Sequence, residues 1–422
     1  MTTLDAHLIS NSVDSSIRFV ILNGVKDPRI FFWRHPPAVP SIHSMKEPAA
    51  ILEAVNSQSK WLTATLRDLV LVESPSDNKP AVDEAVRLVA SLAKSIGGRV
   101  KYHRQKLFGD VLELHFGPTR SPRKPILLLG HLDTVWPLGT LRTMPWRKRD
   151  GRYFGPGVLD MKSGVAMALA AIRALAQLSI RRPMTLLLNP DEEVGSPVSR
   201  PITERLALAS AAVLVLEPAQ GLACKTARKG VGGYRIEVTG VASHSGVDFA
   251  SGHSAVLELA RLLQTVAGFT DLRRGLTVNP GVISGGTRAN VVAQHAYAEV
   301  DVRIARASDA ARVDRLFRSL RCSDPHCSLE ITGGINRPPM ERKPGTVALY
   351  KQARRLAAEL GFQLDEAATG GGSDGNFTAA LGVPTLDGLG AVGEGAHAAH
   401  ESILIHHLVP RTALLAALLA TI

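Results

Sequence analysis

The stretch Pro125-Ile126-Leu127-Leu128-Leu129-Gly130-His131-Leu132-Asp133-Thr134-Val135-Trp136 opens as an aliphatic run and closes on two polar residues spaced by two. The run 126–129 suits a strand covered on both faces, as in a parallel sheet. Residues two apart on an extended chain share a side, so His131 and Asp133 point the same way. At the exit of a buried strand, that side is where an open α/β sheet places its ligands.

Downstream the same grammar recurs. Residues 184–188 form a second apolar run, closed by Asn189-Pro190-Asp191-Glu192-Glu193, and 211–216 a third, ending in Glu217-Pro218. Between them, an Ala- and Leu-rich segment at 165–178 reads as a buried helix behind Gly157-Val158-Leu159-Asp160-Met161-Lys162-Ser163-Gly164. Upstream, apolar residues recur at helical spacing over 48–72 and 80–96, followed by short strands at 99–104 and 111–116. Apolar strands that alternate with helices and end in acidic or histidine residues predict an α/β fold with a mainly parallel sheet.

After Gly230 the pattern changes to half-exposed strands. Strand 234–239, helix 254–266, strands 276–283 and 290–304, helix 307–320 and strand 328–332 describe a small α+β sandwich of ferredoxin-like type. It reads as an insertion at 229–338, interrupting a catalytic domain made of 46–228 and 339–422. Residues 1–45 fit no periodic element; they are expected to be a disordered extension, or to precede a true start at Met45.

A chain of 422 residues is long enough for two domains. Its net charge of +11 invites a nucleic-acid reading, but only 5% of residues are aromatic and no run of five basic residues occurs, so no nucleic acid is expected. No stretch of 18 uncharged apolar residues exists, so no membrane span is expected either, and without a signal-peptide pattern the location is expected to be cytoplasmic. Three cysteines are too few for a disulfide framework, and Cys322-His326-Cys327 has no second ligand pair nearby.

Collected together, the strand-exit residues are His131, Asp133, Asp160, Glu192, Glu193 and Glu217, with His397 later. Each has an ordinary explanation alone: a surface turn, a solvated acidic doublet, a helix cap for Asp160. Their recurrence at apolar strand exits argues for convergence. Carboxylates and imidazoles without thiolate suit Zn²⁺, Mn²⁺ or Co²⁺ in a hydrolytic site. Several carboxylates at one sheet edge repel unless a cation compensates them. Two histidines and three carboxylates, one of them bridging, fit two metals roughly 3.5–4 Å apart around a shared water. Among His397, His400, His406 and His407 the composition alone does not choose.

The motifs His131-Leu132-Asp133-Thr134-Val135, Gly157 to Gly164, Asn189 to Ser196 and Gly395-Ala396-His397-Ala398-Ala399-His400-Glu401 together resemble the co-catalytic zinc peptidases and deacylases. That superfamily includes glutamate carboxypeptidase, acetylornithine deacetylase and succinyl-diaminopimelate desuccinylase. Glu217-Pro218, Arg228-Lys229-Gly230 and Asn336-Arg337-Pro338-Pro339-Met340 look most like the glutamate carboxypeptidase branch. The resemblance implies that His131 and Glu217 hold one Zn²⁺, Glu193 and His397 the other, and that Asp160 bridges both. Co²⁺ or Mn²⁺ are alternatives. It selects His397 because the family's ligand stands four residues before a glutamate, here Glu401; His400 departs from the family's usual Asn or Asp.

The same resemblance makes Glu192 the general base and Asp133 the residue that orients His131. His244, in Ala242-Ser243-His244-Ser245-Gly246, then reaches the active site of a partner subunit in a homodimer formed through the inserted domain. Asn290 and Arg288 fall on a substrate-contacting strand entry, and Arg337 on a clamp for the substrate's α-carboxylate. The implied function is a metallo-exopeptidase that cleaves an amide next to a C-terminal, acidic amino acid of a small peptide or N-acyl substrate. The competing readings are an N-acyl-amino-acid deacylase and a metal-free, non-catalytic scaffold.

Overall fold

The computed structural model describes residues 47–422, so the expectations for 1–45 lie outside the described residues. In chain order the main elements begin with helices α1 (Pro48–Asn56), α2 (Ser59–Leu71) and α3 (Lys79–Ser95), then strands β1 (Arg99–His103), β2 (Val111–Phe116) and β3 (Ile126–His131). Short strands β4 (Arg147–Arg149) and β5 (Arg152–Phe154) precede α4 (Ser163–Gln177), β6 (Met184–Asn189), α5 (Arg200–Leu208), β7 (Ala212–Val215) and β8 (Cys224–Arg228). Next come β9 (Gly230–Thr239), α6 (Ala255–Ala267), β10 (Thr277–Gly285), β11 (His295–Ile304), α7 (Asp309–Arg318) and β12 (Ser328–Arg337). The chain closes with α8 (Pro344–Glu359), β13 (Glu366–Thr369), α9 (Gly375–Ala380), β14 (Thr385–Leu386), β15 (Gly393–Glu394), β16 (Ser402–Leu404) and α10 (Ile405–Thr421).

The central sheet has the order β1-β2-β6-β3-β7-β14. From β6 to β14 every pairing is parallel, while β1 and β2 form an antiparallel edge. The continuous apolar run of β3 is explained by burial on both faces. Ile126 and Leu128 join a core with α1, α2, α3, α4, α8 and α10, whereas Leu127 and Leu129 face α5 with Leu187, Val213 and Val215. Helix α4 is buried over almost its whole length, which is why its sequence is mostly small and aliphatic with no polar stripe.

The segment from β9 to β12 makes a four-stranded antiparallel sheet in the order β10-β11-β9-β12, with α6 and α7 on one face. In sequence this is strand, helix, two strands, helix, strand, with the first strand central, the ferredoxin-like arrangement. Its core is separate from that of the central sheet and includes Tyr234 stacked on Phe317. Strand β11 begins at His295, five residues later than its sequence pattern suggests, because Arg288 to Val291 closes a turn through a Val291 N–H bond to the Arg288 carbonyl. Two small features have no signature in the sequence pattern: the sheet β15-β16-β5-β4 and the parallel pair β13-β8. Both hold loops around the exits of the central strands.

Candidate metal centre and hydrolytic site

Parallel pairing brings three strand exits level. His131 is in register with Asn189, and the Leu216 N–H bonds the Leu129 carbonyl, so the segments after β3, β6 and β7 end at one edge. His131 ends β3, the turn Glu192–Val194 follows β6, and Glu217 follows β7. Asp160 lies in the irregular turn Val158–Lys162 just ahead of α4, and does not cap that helix, whose N-cap position is Lys162.

These residues form two groups that share Asp160. His131, Asp160 and Glu217 offer ligand atoms within 4.8 Å of one another, and so do Asp160, Glu193 and His397. His131 Nε2 is 3.2 Å from Asp160 Oδ1 and 3.6 Å from Glu217 Oε1. His397 Nε2 is 3.5 Å from Asp160 Oδ2 and 3.2 Å from Glu193 Oε2. Asp160 thus presents one oxygen to each trio. Tetrahedral ligands about 2.0–2.2 Å from a cation lie roughly 3.3–3.6 Å from one another, so these spacings fit a divalent ion in each trio. Glu193 Oε1 is buried with no hydrogen-bond partner, as a carboxylate awaiting a cation would be. His400 belongs to neither trio.

Charge in the site is displaced as this crowding predicts. Burial opposes protonation of His131, but Asp133, Asp160 and Glu217 hold its pKa well above the usual imidazole range. Hydrogen bonds to Asp160 and Glu193 raise His397 to about 10. Asp160, despite burial, is pulled far below the ordinary carboxylate range by the two histidines. Burial pushes Glu192 and Glu193 upward, against the opposing charge of Arg337 on Glu192 and the His397 bond on Glu193.

His131 meets Asp133 mainly through the backbone: its Nδ1 is 2.9 Å from the Asp133 carbonyl oxygen and 3.5 Å from Oδ1. The Asp133 carboxylate instead accepts the N–H groups of Glu192 and Glu193, each at 3.1 Å, and the Ser76 hydroxyl at 2.7 Å. It therefore fixes the turn that carries the acidic doublet.

Arg337 is not a free guanidinium. It is 5% exposed; its Nη2 lies 2.9 Å from Glu192 Oε1 and donates to the Glu192 carbonyl at 2.7 Å, while Nη1 donates to Asp374 at 2.5 Å. A buried cation must be paired, and these two carboxylates are what the chain supplies. Glu192, Glu193, Gly195, Gly232, Arg303, Asn336, Arg337 and Gly372 are among the residues lining an open cleft of about 420 Å³.

Further buried charges surround the two trios. Arg228, buried, bonds Glu217 Oε2 at 3.2 Å and both oxygens of Asp387 at 2.7 and 2.8 Å. Asp387 stands at the exit of β14, a fourth parallel strand, in a position like that of Glu217 after β7. Asp374 accepts from Arg337, Asn189 and Ser196 and follows the glycines 370–372 by two residues. His244, Asn290 and Arg288 are exposed on the α+β sandwich, where His244 pairs with Val291 and the Ser245 N–H bonds the Asn290 carbonyl. No hydrogen bond or ion pair among the described residues joins them to the two trios. The His326 ring lies tilted against that of His253, whose Nδ1 is 2.7 Å from Asp324. No helix among the described residues is long and apolar enough to cross a membrane.

A family model described as peptidase family M20/M25/M40 matches residues 127–421. Carboxypeptidase G2 of Pseudomonas sp. (strain RS-16) is 28% identical over 405 residues, 90% of this chain and 97% of that protein. Acetylornithine deacetylase of Myxococcus xanthus is 31% identical over 281 residues, 62% of this chain and 71% of that protein. Among solved structures, a Bacillus subtilis protein described as a dinuclear metal binding peptidase from the M20 family superimposes with a TM-score of 0.63 at 14% identity, covering 86% of this chain and 98% of that one.

Proposed function

The chain belongs to peptidase family M20/M25/M40 and is a hydrolase of peptide or amide bonds, and from that premise we propose that it removes a C-terminal, acidic amino acid from a peptide or N-acyl substrate. The observation that carries this reading is Arg337, a guanidinium lining the cleft and touching Glu192. Similarity to carboxypeptidase G2 along nearly the whole chain supports it. The second reading, an N-acyl-amino-acid deacylase, is favoured by the similarity to acetylornithine deacetylase over a shorter span.

In this reading His131, Asp160 and Glu217 hold one Zn²⁺ and Asp160, Glu193 and His397 a second, with Co²⁺ or Mn²⁺ as alternatives. Two such cations would polarise the scissile carbonyl and lower the pKa of a shared water. Asp133 holds the turn that aims Glu192 and Glu193 in different directions, so one binds while the other stays free to move a proton. Glu192 accepts the proton of the attacking water and returns it to the leaving nitrogen, a role that typically contributes about 10²–10⁴-fold. Burial, which raises the Glu192 pKa, suits a group that must hold a proton between those two steps. Arg337 exchanges Glu192 for the substrate's carboxylate, the planar fork matching two oxygens at once. His244, Arg288 and Asn290 are no part of this step within one chain.

A substrate panel on metal-replete protein tests the assignment. Benzoyl- or pteroyl-type glutamate conjugates are expected to have the highest kcat/KM, and a chelator should abolish turnover. Preference for N-acetylornithine or N-acetyl amino acids would overturn the carboxypeptidase reading in favour of the deacylase.

A further inference from the structure

Two irregular segments supply Asp160 and His397, and one buried side chain ties them together. Glu401 has no exposed surface. Its Oε1 accepts the backbone N–H groups of Leu159 at 2.8 Å and Asp160 at 3.0 Å. Its Oε2 accepts the N–H of Gly157 at 2.9 Å and the indole N–H of Trp136 at 2.8 Å. The first N–H groups of a helical turn have no partner within it, and Glu401 takes three of those at the turn before α4. Inside that turn Asp160 has φ −113° and ψ 96°, outside the helical range, so helix geometry does not set its direction.

At its other end Glu401 closes the His397 loop. Its N–H bonds the Ala398 carbonyl at 2.8 Å, and the Ala398 N–H bonds the Gly395 carbonyl at 2.9 Å. Within this bend His397 has φ 61°, a left-handed conformation that a non-glycine residue keeps only when its surroundings impose it. Gly395 has φ 80°, and a Cβ there would lie 2.9 Å from the His400 ring, so the bend is closely packed.

We propose that Glu401 is a positioning residue that sets Asp160 and His397 relative to one another, so that each oxygen of Asp160 faces its own ligand trio. The inference rests on the two-cation reading given above. A glutamate four residues beyond His397 then has a physical role as the strut between the bridging carboxylate and the imidazole of the second trio. The competing explanation is that Glu401 only satisfies backbone donors. Glu73 provides the comparison, because its carboxylate likewise accepts two backbone N–H groups, Gly139 at 2.7 Å and Leu141 at 2.8 Å, but on a loop without candidate ligands.

The experiment titrates Zn²⁺ into metal-free full-length wild type, Glu401→Gln and Glu73→Gln against a chromophoric chelator, with thermal unfolding of each metal-free protein. In Glu401→Gln the new amide N–H₂ faces two N–H donors, which must move apart. Wild type is expected to bind two Zn²⁺ per chain. Glu401→Gln should bind them about 10- to 100-fold more weakly, the usual scale for a residue supporting a ligand. Its kcat should fall with KM nearly unchanged, and Glu73→Gln should match wild type in affinity. Equal Zn²⁺ affinity for Glu401→Gln and wild type, with only a lower Tm, overturns the proposal. Fewer than two Zn²⁺ per wild-type chain removes the two-cation reading itself, and the proposal with it. Should Glu401→Gln not fold, Trp136→Phe deletes one of the four donors and keeps the carboxylate. Weaker Zn²⁺ binding there supports the strut, and unchanged binding refutes it.

Discussion

Asp133 shows how much one residue can carry. Its spacing from His131 was legible in the sequence and correctly indicated a shared side. The division of its atoms was not legible, because backbone carbonyl and carboxylate are equally close to a neighbouring imidazole until the fold is known. In the structure the carbonyl holds His131 and the buried carboxylate holds the Glu192–Glu193 turn and Ser76. Asp133→Asn leaves one oxygen as acceptor and turns the other into a donor facing a buried donor. We expect a loss of about 1–3 kcal/mol in unfolding free energy, the cost of an unsatisfied buried group. Because the same turn carries the candidate base, kcat should drop about 10- to 100-fold. Urea unfolding and steady-state kinetics on the same preparation check both. Unchanged kcat in a destabilised variant would show that the carboxylate only supports the fold.

At the scale of elements, the sheet was legible wherever a long apolar run ended in a charged residue. Strands β3, β6 and β7 satisfy that rule, and their exits deliver His131, Glu192, Glu193 and Glu217. Strand β14 obeys it too, but its two residues follow Gly382-Val383-Pro384 and give too short a signal, so Asp387 and its pairing with Arg228 stayed hidden. The short strands around the site escaped for the same reason: three residues carry no periodicity. Helix α4 read well because burial all round leaves no polar stripe to confuse it. Its start packs closely against the exit of β7. A Cβ on Gly164 would lie 2.1 Å from the Leu216 carbonyl oxygen, one residue before Glu217. Gly164→Ala must push α4 or the β7 exit away, at a cost of about 1–3 kcal/mol. We expect a lower Tm together with weaker Zn²⁺ binding. A lower Tm with unaltered binding would mean that α4, not the Glu217 segment, gives way.

For the molecule as a whole, two cores of different style share one chain. One lies around a parallel sheet and the other under the helices of an antiparallel one. Both styles could be read from the change between continuous and alternating apolar patterns near Gly230. The antiparallel edge β1-β2 carries an acid-sensitive group outside the two ligand trios. Burial alone would raise the Glu113 pKa, but hydrogen bonds from His103 and His115 and the charge of Lys101 bring it down to about 2 from 4.5. A carboxylate depressed in the folded state contributes stability above its unfolded pKa and loses it as pH falls through the folded one. Unfolding free energy should therefore decline between pH 4.5 and about 2, and Glu113→Gln should flatten that part of the profile in denaturant titrations. An identical slope in the variant would assign the acid loss to other carboxylates.

The pairing of Arg337 with Glu192 has a last consequence, for selectivity. Under the proposed exchange, the seat for an incoming carboxylate already holds a tethered one, the Glu192 side chain. A tethered group competes at an effective concentration on the order of millimolar or above. A free carboxylate in solution must outcompete that resident, whereas a substrate with further contacts along the cleft brings enough affinity to displace it. Displacement then releases Glu192 at the moment a suitable substrate arrives. A bound amide lacking the carboxylate leaves the base tied down, so discrimination acts through the availability of the proton acceptor as well as through binding.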